Sequence, residues 1–341
     1  MLLLFPLVVF ILLSLLSLFA IISTATTTFA IPADRTTIVM DNWNLKRFSS
    51  SIYGITSDFS GNIYFVEHNN NKIGRLSPAT NTLTEWVIPT DSSGPTGAAS
   101  DPFSGNIYFV EHDGNKIGRL SPATNTLTEW VVPTSSSGPT GVAFDSSSGN
   151  LYFAENNTNK IGRLVLSTNT FTEWTVPIKS KSNDHGFQNI AFDPNSRNVY
   201  FVEHYGNKIG RLSPATNVFT EWTVPIKSKS NDLLGITSDF SGNIYFVEHN
   251  GNKIGQLSPA TNTLTEWVVP TNSSGPTGVA FDSSSGNLYF AENNTNKIGR
   301  LVLSTNTFTE WAIGYNPLTI FIDSSGSFYF IGGGGILGRL G

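Results

Sequence analysis

The chain has no cysteine among its 341 residues, and only 13% of its residues are charged. Without cysteine, neither a disulfide framework nor a thiolate metal site is available. The formal net charge of −5 gives no basic face, which excludes nucleic acid as a partner. Glycine, serine, threonine and asparagine are abundant, and this composition is typical of an all-β protein with many turns.

Charge is also missing from the start of the chain, where the first charged residue after Met1 is Asp34. The stretch from Leu2 to Ile22 is almost wholly apolar, which indicates a signal peptide or a membrane anchor over residues 1–30. Small residues allow cleavage after Ala25 or Ala30, so both alternatives stay open. Residues 31–35 are interpreted as a linker. The protein is therefore predicted to be exported, either secreted or anchored to the outer face of the cytoplasmic membrane.

The seven tryptophans mark an internal repeat of 43 to 48 residues. They are Trp43, Trp86, Trp130, Trp174, Trp222, Trp267 and Trp311. A period of this length indicates a solenoid, a propeller or another array of repeated units.

Each repeat contains four short segments, for example GITSD, NIYFVEH, KIGRL and TLTEW, separated by turn residues. These segments predict a four-stranded antiparallel meander, whose strands we name a, b, c and d in chain order. The seventh unit ends at Gly341 without a strand d, whereas residues 36–43 supply a spare one. We therefore predict a seven-bladed β-propeller over residues 36–341, in which the N-terminal strand closes the last blade and removes an exposed sheet edge.

The unit GITSDFSGNIYFVEHNNNKIGRLSPATNTLTEWVIPT resembles the repeat of the streptogramin B lyase (virginiamycin B lyase) family. The resemblance covers all seven units and implies a seven-bladed propeller. Lyases of this family open the ester of a cyclic depsipeptide by metal-dependent β-elimination. The resemblance further implies a histidine base in a Pro-His-Gly turn before strand a, and a glutamate at the end of strand b that helps to hold Mg²⁺.

Only one of these two sets of residues is matched in the sequence. The glutamates are present as Glu67, Glu111, Glu155, Glu203, Glu248 and Glu292, with Gly332 in the last unit. The histidine positions hold Tyr53, Thr96, Thr140, Gln188, Leu234, Thr277 and Leu318 instead. The base that the lyase reaction requires is therefore not matched in any unit.

The repeated charged residues have a structural interpretation as well. Glu67 and Lys72 flank a four-residue turn, which predicts a cross-strand ion pair that recurs in the first six units. Arg75 and Glu85 are predicted to pair in the same way across strands c and d. The histidine of YFVEH, for example His68, is predicted to serve the turn or the packing between blades.

Two longer connections break the symmetry of the repeat, because TVPIKSKSND follows both Trp174 and Trp222. In a propeller the d-to-a loops and the b-to-c turns share one face, which we call the loop face. The residues predicted to bind a ligand there are Lys179, Lys181, Asp184, Lys227, Lys229 and Asp232. The candidate catalytic residues are His185, His204 and His249, and the candidate metal ligands are Glu203 and Glu248. The alternative is that both connections are ordinary solvated loops.

Two functions follow from this sequence. The first is an exported, monomeric binding or surface-interaction propeller without catalysis, whose extracytoplasmic ligand is a small molecule or a protein. The second is an Mg²⁺-dependent carbon-oxygen lyase that linearises a cyclic depsipeptide of the streptogramin B type. We favour the first, because membership in a family gives only a prior expectation of activity.

Overall fold

The structure is a computed structural model and describes residues 40–45, 51–177, 187–204, 206–225 and 233–340. Its strands form seven four-stranded antiparallel sheets, the blades of a seven-bladed β-propeller. The fold predicted from the repeat is confirmed. The predicted signal or anchor over 1–30 and the linker over 31–35 lie outside the described residues.

The first strand, β1 (Met40–Asn44), belongs to the last blade, and the next four strands form blade 1. Blade 1 contains β2 (Ile52–Ser57), β3 (Ile63–Glu67), β4 (Lys72–Ser77) and β5 (Thr82–Val87). Blade 2 contains β6 (Pro95–Ser100), β7 (Ile107–Glu111), β8 (Lys116–Ser121) and β9 (Thr126–Val131). Blade 3 contains β10 (Pro139–Asp145), β11 (Asn150–Glu155), β12 (Lys160–Val165) and β13 (Thr170–Thr175).

The remaining blades repeat this order of strands. Blade 4 contains β14 (Phe187–Asp193), β15 (Asn198–Glu203), β16 (Lys208–Ser213) and β17 (Val218–Thr223). Blade 5 contains β18 (Leu233–Ser238), β19 (Ile244–Glu248), β20 (Lys253–Ser258) and β21 (Thr263–Val268). Blade 6 contains β22 (Pro276–Asp282), β23 (Asn287–Glu292), a short 3₁₀ turn (Asn293–Thr295), β24 (Lys297–Val302) and β25 (Thr307–Ala312). Blade 7 contains β26 (Pro317–Ile322), β27 (Phe328–Gly332) and β28 (Ile336–Leu340).

The N-terminal strand closes blade 7, as the strand count predicts. Strand β1 pairs antiparallel with β28, and Met40 lies opposite Leu340. An ion pair between Asp41 and Arg339 joins the same two strands. The closure pairs the outer edge of β28, which would otherwise expose a row of unsatisfied backbone groups.

The hydrophobic core lies between neighbouring blades, and each apolar cluster draws side chains from two consecutive sheets. Between blades 1 and 2, for example, Tyr64 and Val66 pack with Ile107 and Phe109, all of them fully buried or nearly so. Strand b supplies most of this core, because it is covered on both faces.

The glycine of strand c has a packing role that recurs in every blade. A Cβ atom at Gly118 would lie 2.1 Å from the ring of Phe109 on the neighbouring strand b. Glycine therefore makes room for the buried phenylalanine that each blade presents to its neighbour. Packing of this density tolerates little change in volume.

No helix among the described residues is long and apolar enough to cross a membrane.

Candidate ligand-binding cavity

The inner strands a of the seven blades surround a central cavity of about 540 Å³. In six of the blades, the second residue of strand a lines this cavity. These residues are Tyr53, Thr96, Thr140, Leu234, Thr277 and Leu318. Strand a begins at the loop face, so this ring of side chains surrounds the loop-face end of the cavity. A volume of this size is typical of a site for a small molecule.

Glycine lets the inner strands approach one another around the axis. A Cβ atom at Gly54 or Gly97 would lie 2.6 Å from a backbone oxygen of the next strand a, those of Thr96 and Thr140. The same close approach recurs at Gly235. The backbone itself therefore forms much of the wall, and the side chain that precedes each glycine is left to face the cavity.

The lining is polar on one side and more apolar on the other. Thr96 donates a hydrogen bond to the backbone oxygen of Thr140 at 3.0 Å, and Asn189 of blade 4 donates to that of Leu234 at 3.3 Å. Tyr53 and Leu318, on adjacent blades 1 and 7, expose 54% and 42% of their surface. An uncharged ligand with both polar and apolar groups suits this lining.

Ionisable side chains are nearly absent from the lining. Among the described residues that line the cavity, Tyr53 carries the one ionisable group. Its ring meets the ring of His68 edge to face, with 5.1 Å between the ring centroids. The lining residues thus offer hydrogen bonds and apolar contact, and they include no carboxylate, imidazole or amine.

The residues that replace the family's histidines are the ones that the structure brings together. Six of the seven positions derived from the resemblance line the cavity, and the side chain of Gln188 is outside the described part. Sequence reasoning missed Asn156 and Asn189, which also line the cavity. Asn189 lies in a blade that lacks the Pro-x-Gly pattern, so no motif could have identified it.

The glutamates at the ends of the b strands are buried and lie apart from the cavity lining. Each of them is at most 4% exposed, and none lines the cavity. Burial, and after it the nearby Glu85, raises the pKa of Glu67 to about 8. Burial, and after it Glu129, raises the pKa of Glu111 to about 8 as well. The pKa values of Glu155, Glu203 and Glu292 are raised to about 7, with burial the largest cause.

The predicted ion pairs between these glutamates and the strand c lysines are wrong for most blades. The register is as predicted, since Glu67 lies opposite Lys72. The ammonium group of Lys72, however, binds Glu85 of strand d at 3.0 Å. Glu85 is partly exposed, so water still solvates this pair, whereas ionising a fully buried Glu67 would cost more free energy.

The same exchange of partners recurs around the ring. The lysines that bind a strand d glutamate are Lys72, Lys116, Lys160, Lys208, Lys253 and Lys297, at 2.5 to 3.2 Å. In blade 5, Lys253 also lies 4.0 Å from Glu248, the one predicted pair within ion-pair distance among the described residues.

The second predicted ion pair, between Arg75 and Glu85, is also replaced. Arg75 lies opposite Thr84, donates a hydrogen bond to its hydroxyl and stacks over the ring of Trp86. Glu85 lies opposite Gly74, one position along the strand, so its side chain points to the other face of the sheet and meets Lys72. Alternation along strand d therefore separates the arginine from the glutamate.

The histidines of the b-to-c turns pack against the following blade, as predicted. The Nδ1 atoms of His68 and His249 lie 3.3 Å from the backbone oxygens of Pro95 and Pro276, which begin the next strand a. His204 makes the equivalent contact with Leu233 at 3.2 Å.

Of the candidate catalytic residues, His204 and His249 are thus placed between blades and outside the cavity lining. His185 lies outside the described residues.

The candidate metal ligands do not come together in the described part of the chain. The strand b glutamates that the resemblance implies as ligands, Glu203 and Glu248 among them, are buried in separate blades. Within the part of the chain that the structure describes, no three His, Asp or Glu side chains lie close enough to hold a metal ion.

The remaining predicted site residues cannot be placed. Those of the two long loops lie outside the described residues, and they are Lys179, Lys181, Asp184, Lys227, Lys229 and Asp232. Ligand binding by this part of the loop face stays a prediction.

A closed ring of seven four-stranded blades around a small central cavity defines the chain as a seven-bladed β-propeller. The model of the virginiamycin B lyase family matches residues 38–340. The chain belongs to that family.

Solved structures support the assignment. A streptogramin B lyase structure is 29% identical, with a TM-score of 0.80 over 89% of this chain and 97% of that one. Selenomethionine-substituted virginiamycin B lyase from Staphylococcus aureus is 27% identical, with a TM-score of 0.79 over 89% of this chain and 99% of that one. A catalytically inactive histidine-to-alanine variant of the Staphylococcus aureus enzyme, solved with quinupristin, is 26% identical, with the same TM-score and coverage. No curated protein matches the chain.

Proposed function

We propose that this chain is an exported binding propeller that holds an uncharged small molecule in its central cavity without converting it. The observation that carries the proposal is the identity of the ring residues. Tyr53, three threonines and two leucines stand where the resemblance places a histidine base. The apolar stretch from Leu2 to Ile22 supports export.

The relative solved with quinupristin supports binding without chemistry. That protein is a histidine-to-alanine variant, described as catalytically inactive, and it was solved together with quinupristin. This chain resembles that variant in lacking a base at the matched positions. A cyclic depsipeptide of the streptogramin B type is therefore the first ligand to test, and it would be bound intact.

A general base has to lie within hydrogen-bond reach of the proton that it removes. Threonine and leucine side chains cannot remove a proton near pH 7, because neither carries a basic group. The ring can instead orient a ligand through the threonine oxygens and the amide of Asn189, with Tyr53 and Leu318 covering its apolar part. Such an arrangement can bind a ligand in its unreacted form, and it does not provide proton transfer.

The test uses the purified full chain and quinupristin, with and without Mg²⁺. We expect heat on titration in a calorimeter, and a mass spectrum in which quinupristin stays cyclic after prolonged incubation. Thr140→Trp should fill the cavity and weaken binding at least tenfold. Thr124→Trp, in an exposed c-to-d turn, is the matched control and should bind as the unchanged chain does.

Two results would overturn the proposal. Mg²⁺-dependent linearisation that is lost in Glu203→Gln or Glu248→Gln would show that the chain is a lyase. Failure to bind quinupristin and a panel of uncharged cyclic peptides, or equal binding by Thr140→Trp, would show that the cavity is not the binding site.

A further inference from the structure

Three phenylalanines stand out on the face of the propeller opposite the loop face. This second face is formed by the a-to-b and c-to-d turns, and we call it the turn face. Phe59, Phe103 and Phe240 lie at the tips of a-to-b turns in blades 1, 2 and 5, and expose 66%, 82% and 69% of their surface. Covering such a ring with an apolar partner would remove apolar surface from water, which is favourable.

The turn geometry holds these rings outward. Asp58 directly follows strand a and accepts hydrogen bonds from the backbone nitrogens of Ser60 and Asn62, at 2.9 and 3.0 Å. Its second oxygen accepts from the Tyr64 hydroxyl at 3.1 Å. The carboxylate is therefore used inside the turn, and Phe59 is left at the tip. Asp239 closes the turn of Phe240 with the same set of bonds.

The turn face carries almost no exposed charge. The c-to-d turns of blades 1 to 6 read SPATN or VLSTN and contain no charged residue. The seven aspartates of the a-to-b turns are buried or half-buried, and among the described turns Arg197 is the one exposed charged residue. The loop face differs, since it exposes Asp91 and Asp113 and carries the half-buried, ion-paired lysines. The aromatic side is thus also the uncharged side.

The polypeptide enters the propeller on the turn face. Met40 begins strand β1 opposite Leu340, the last residue of strand c in blade 7, and strand c ends on the turn face. The sequence that leads to Met40 includes the apolar stretch from Leu2 to Ile22.

We infer that the turn face rests on the surface of a lipid bilayer, with Phe59, Phe103 and Phe240 inserted at the interface between head groups and acyl chains. Apolar rings without neighbouring charge suit an uncharged, zwitterionic surface. Binding is driven by apolar burial and is insensitive to salt, because Debye screening acts on charge pairs that this face lacks. The central cavity then opens away from the bilayer, and the inference does not depend on the proposed ligand.

The test uses the full chain, vesicles of phosphatidylcholine and its brominated form, and single labels. Because the protein has no cysteine, Ser60→Cys or Ser241→Cys places one fluorophore on the turn face, and Ser135→Cys places one on the loop face. We expect brominated lipid to quench the turn-face labels at least threefold more than the loop-face label, equally at 0.05 and 0.5 M salt.

Two triple variants separate the rings from general hydrophobicity. Phe59→Ser, Phe103→Ser and Phe240→Ser together should abolish the excess quenching, and the fold should survive because serine stands at the equivalent sites, such as Ser324 and Ser147. The control replaces Val87, Val131 and Val268 by serine, since these side chains are exposed to a similar degree, 64 to 67%, on outer strands. It should leave the quenching unchanged.

Several outcomes would overturn the inference. Equal quenching on both faces would mean that the turn face does not rest on lipid, and excess turn-face quenching that survives the phenylalanine replacements would mean that the rings do not make the contact. Quenching that requires phosphatidylglycerol and disappears at 0.5 M salt would assign the contact to charge. A turn-face label that changes with protein concentration in the absence of vesicles would assign the rings to contact between copies of this chain.

Discussion

Lys116 lies directly opposite Glu111 in blade 2, yet its ammonium group binds Glu129 of strand d at 2.8 Å. Glu111 is left with neither oxygen hydrogen-bonded among the described residues and with no exposed surface. The neutral acid is therefore the favoured form of Glu111 near neutral pH, as its pKa of about 8 expresses.

The buried glutamates predict that the protein is more stable at mildly acidic than at alkaline pH. Their folded pKa values of about 7 to 8 exceed the unfolded value of 4.5, so the folded chain holds more protons between these limits. The stabilisation is full below about pH 4.5 and is lost as the pH rises through 7 to 8. Each proton released on unfolding contributes a slope of about 1.4 kcal/mol per pH unit. Urea denaturation from pH 5 to 9 measures this slope.

The matched variant for the pH profile is Glu111→Gln, which keeps the shape of the side chain and cannot ionise. It should be at least as stable as the unchanged chain at pH 8.5 and should reduce the slope between pH 5 and 8. A profile that rises with pH over this window would contradict the assignment. Below pH 4 the opposite trend is expected, because hydrogen bonds and Lys116 hold the pKa of Glu129 below its usual value against the effect of burial.

Thr134 ties blade 2 to blade 3, and Thr134→Val should weaken this junction. Its backbone nitrogen and hydroxyl donate to the two oxygens of Glu173, at 3.0 and 2.7 Å, and Lys160 donates to the same hydroxyl at 2.6 Å. Valine keeps the shape but removes the hydroxyl, so we expect a loss of about 1 to 3 kcal/mol in unfolding free energy. The control, Thr124→Val, removes an exposed hydroxyl and should cost under about 0.5 kcal/mol.

Gly118→Ala should disrupt the core of blade 2, because the added methyl group would overlap the ring of Phe109 at 2.1 Å. Overpacking of this kind costs about 1 to 3 kcal/mol or more. Adding Phe109→Leu to the Gly118→Ala variant should restore part of the lost unfolding free energy. A double-mutant cycle by chemical denaturation measures the coupling energy between the two positions. Purely additive effects would mean that the two positions do not meet as the structure shows.

Exchange of the charges in the Asp41–Arg339 pair tests the closure of the ring. Asp41→Arg puts two like charges opposite one another across β1 and β28, and should cost up to about 1 kcal/mol because the pair is partly exposed. The double variant Asp41→Arg with Arg339→Asp should recover most of this loss, as measured by thermal unfolding. No recovery would argue that β1 does not lie beside β28 in solution.

The architecture could be read from the sequence because every local signal agrees with it. The spacing of the tryptophans, the alternation within IYFVE and the missing last strand each point to seven closed blades, and strand β1 closes blade 7 as predicted. Agreement between local and global signals is what makes such a sequence predictable. The register of Glu67 opposite Lys72 was predictable for the same reason.

The choice between two carboxylates for one lysine could not be predicted. Lys72 can reach both Glu67 and Glu85, and the difference between them is burial, which the neighbouring blade decides. The composition of the cavity was partly predictable, since the resemblance identified the position before each inner glycine. Asn156 was missed because its side chain reaches the cavity from the end of strand b rather than from strand a.

The pairing of Met40 with Leu340 also fixes an order of events during synthesis. The outermost strand of the last sheet is among the earliest parts of the propeller to be made, and its partner is the last. Until β28 has been made, residues 40–44 have no sheet to join, and the growing chain carries an unpaired strand while the six preceding blades are made. The ring can close only after β28 has been made, so a chain cut short before β28 would leave both open strand edges free to pair with another molecule.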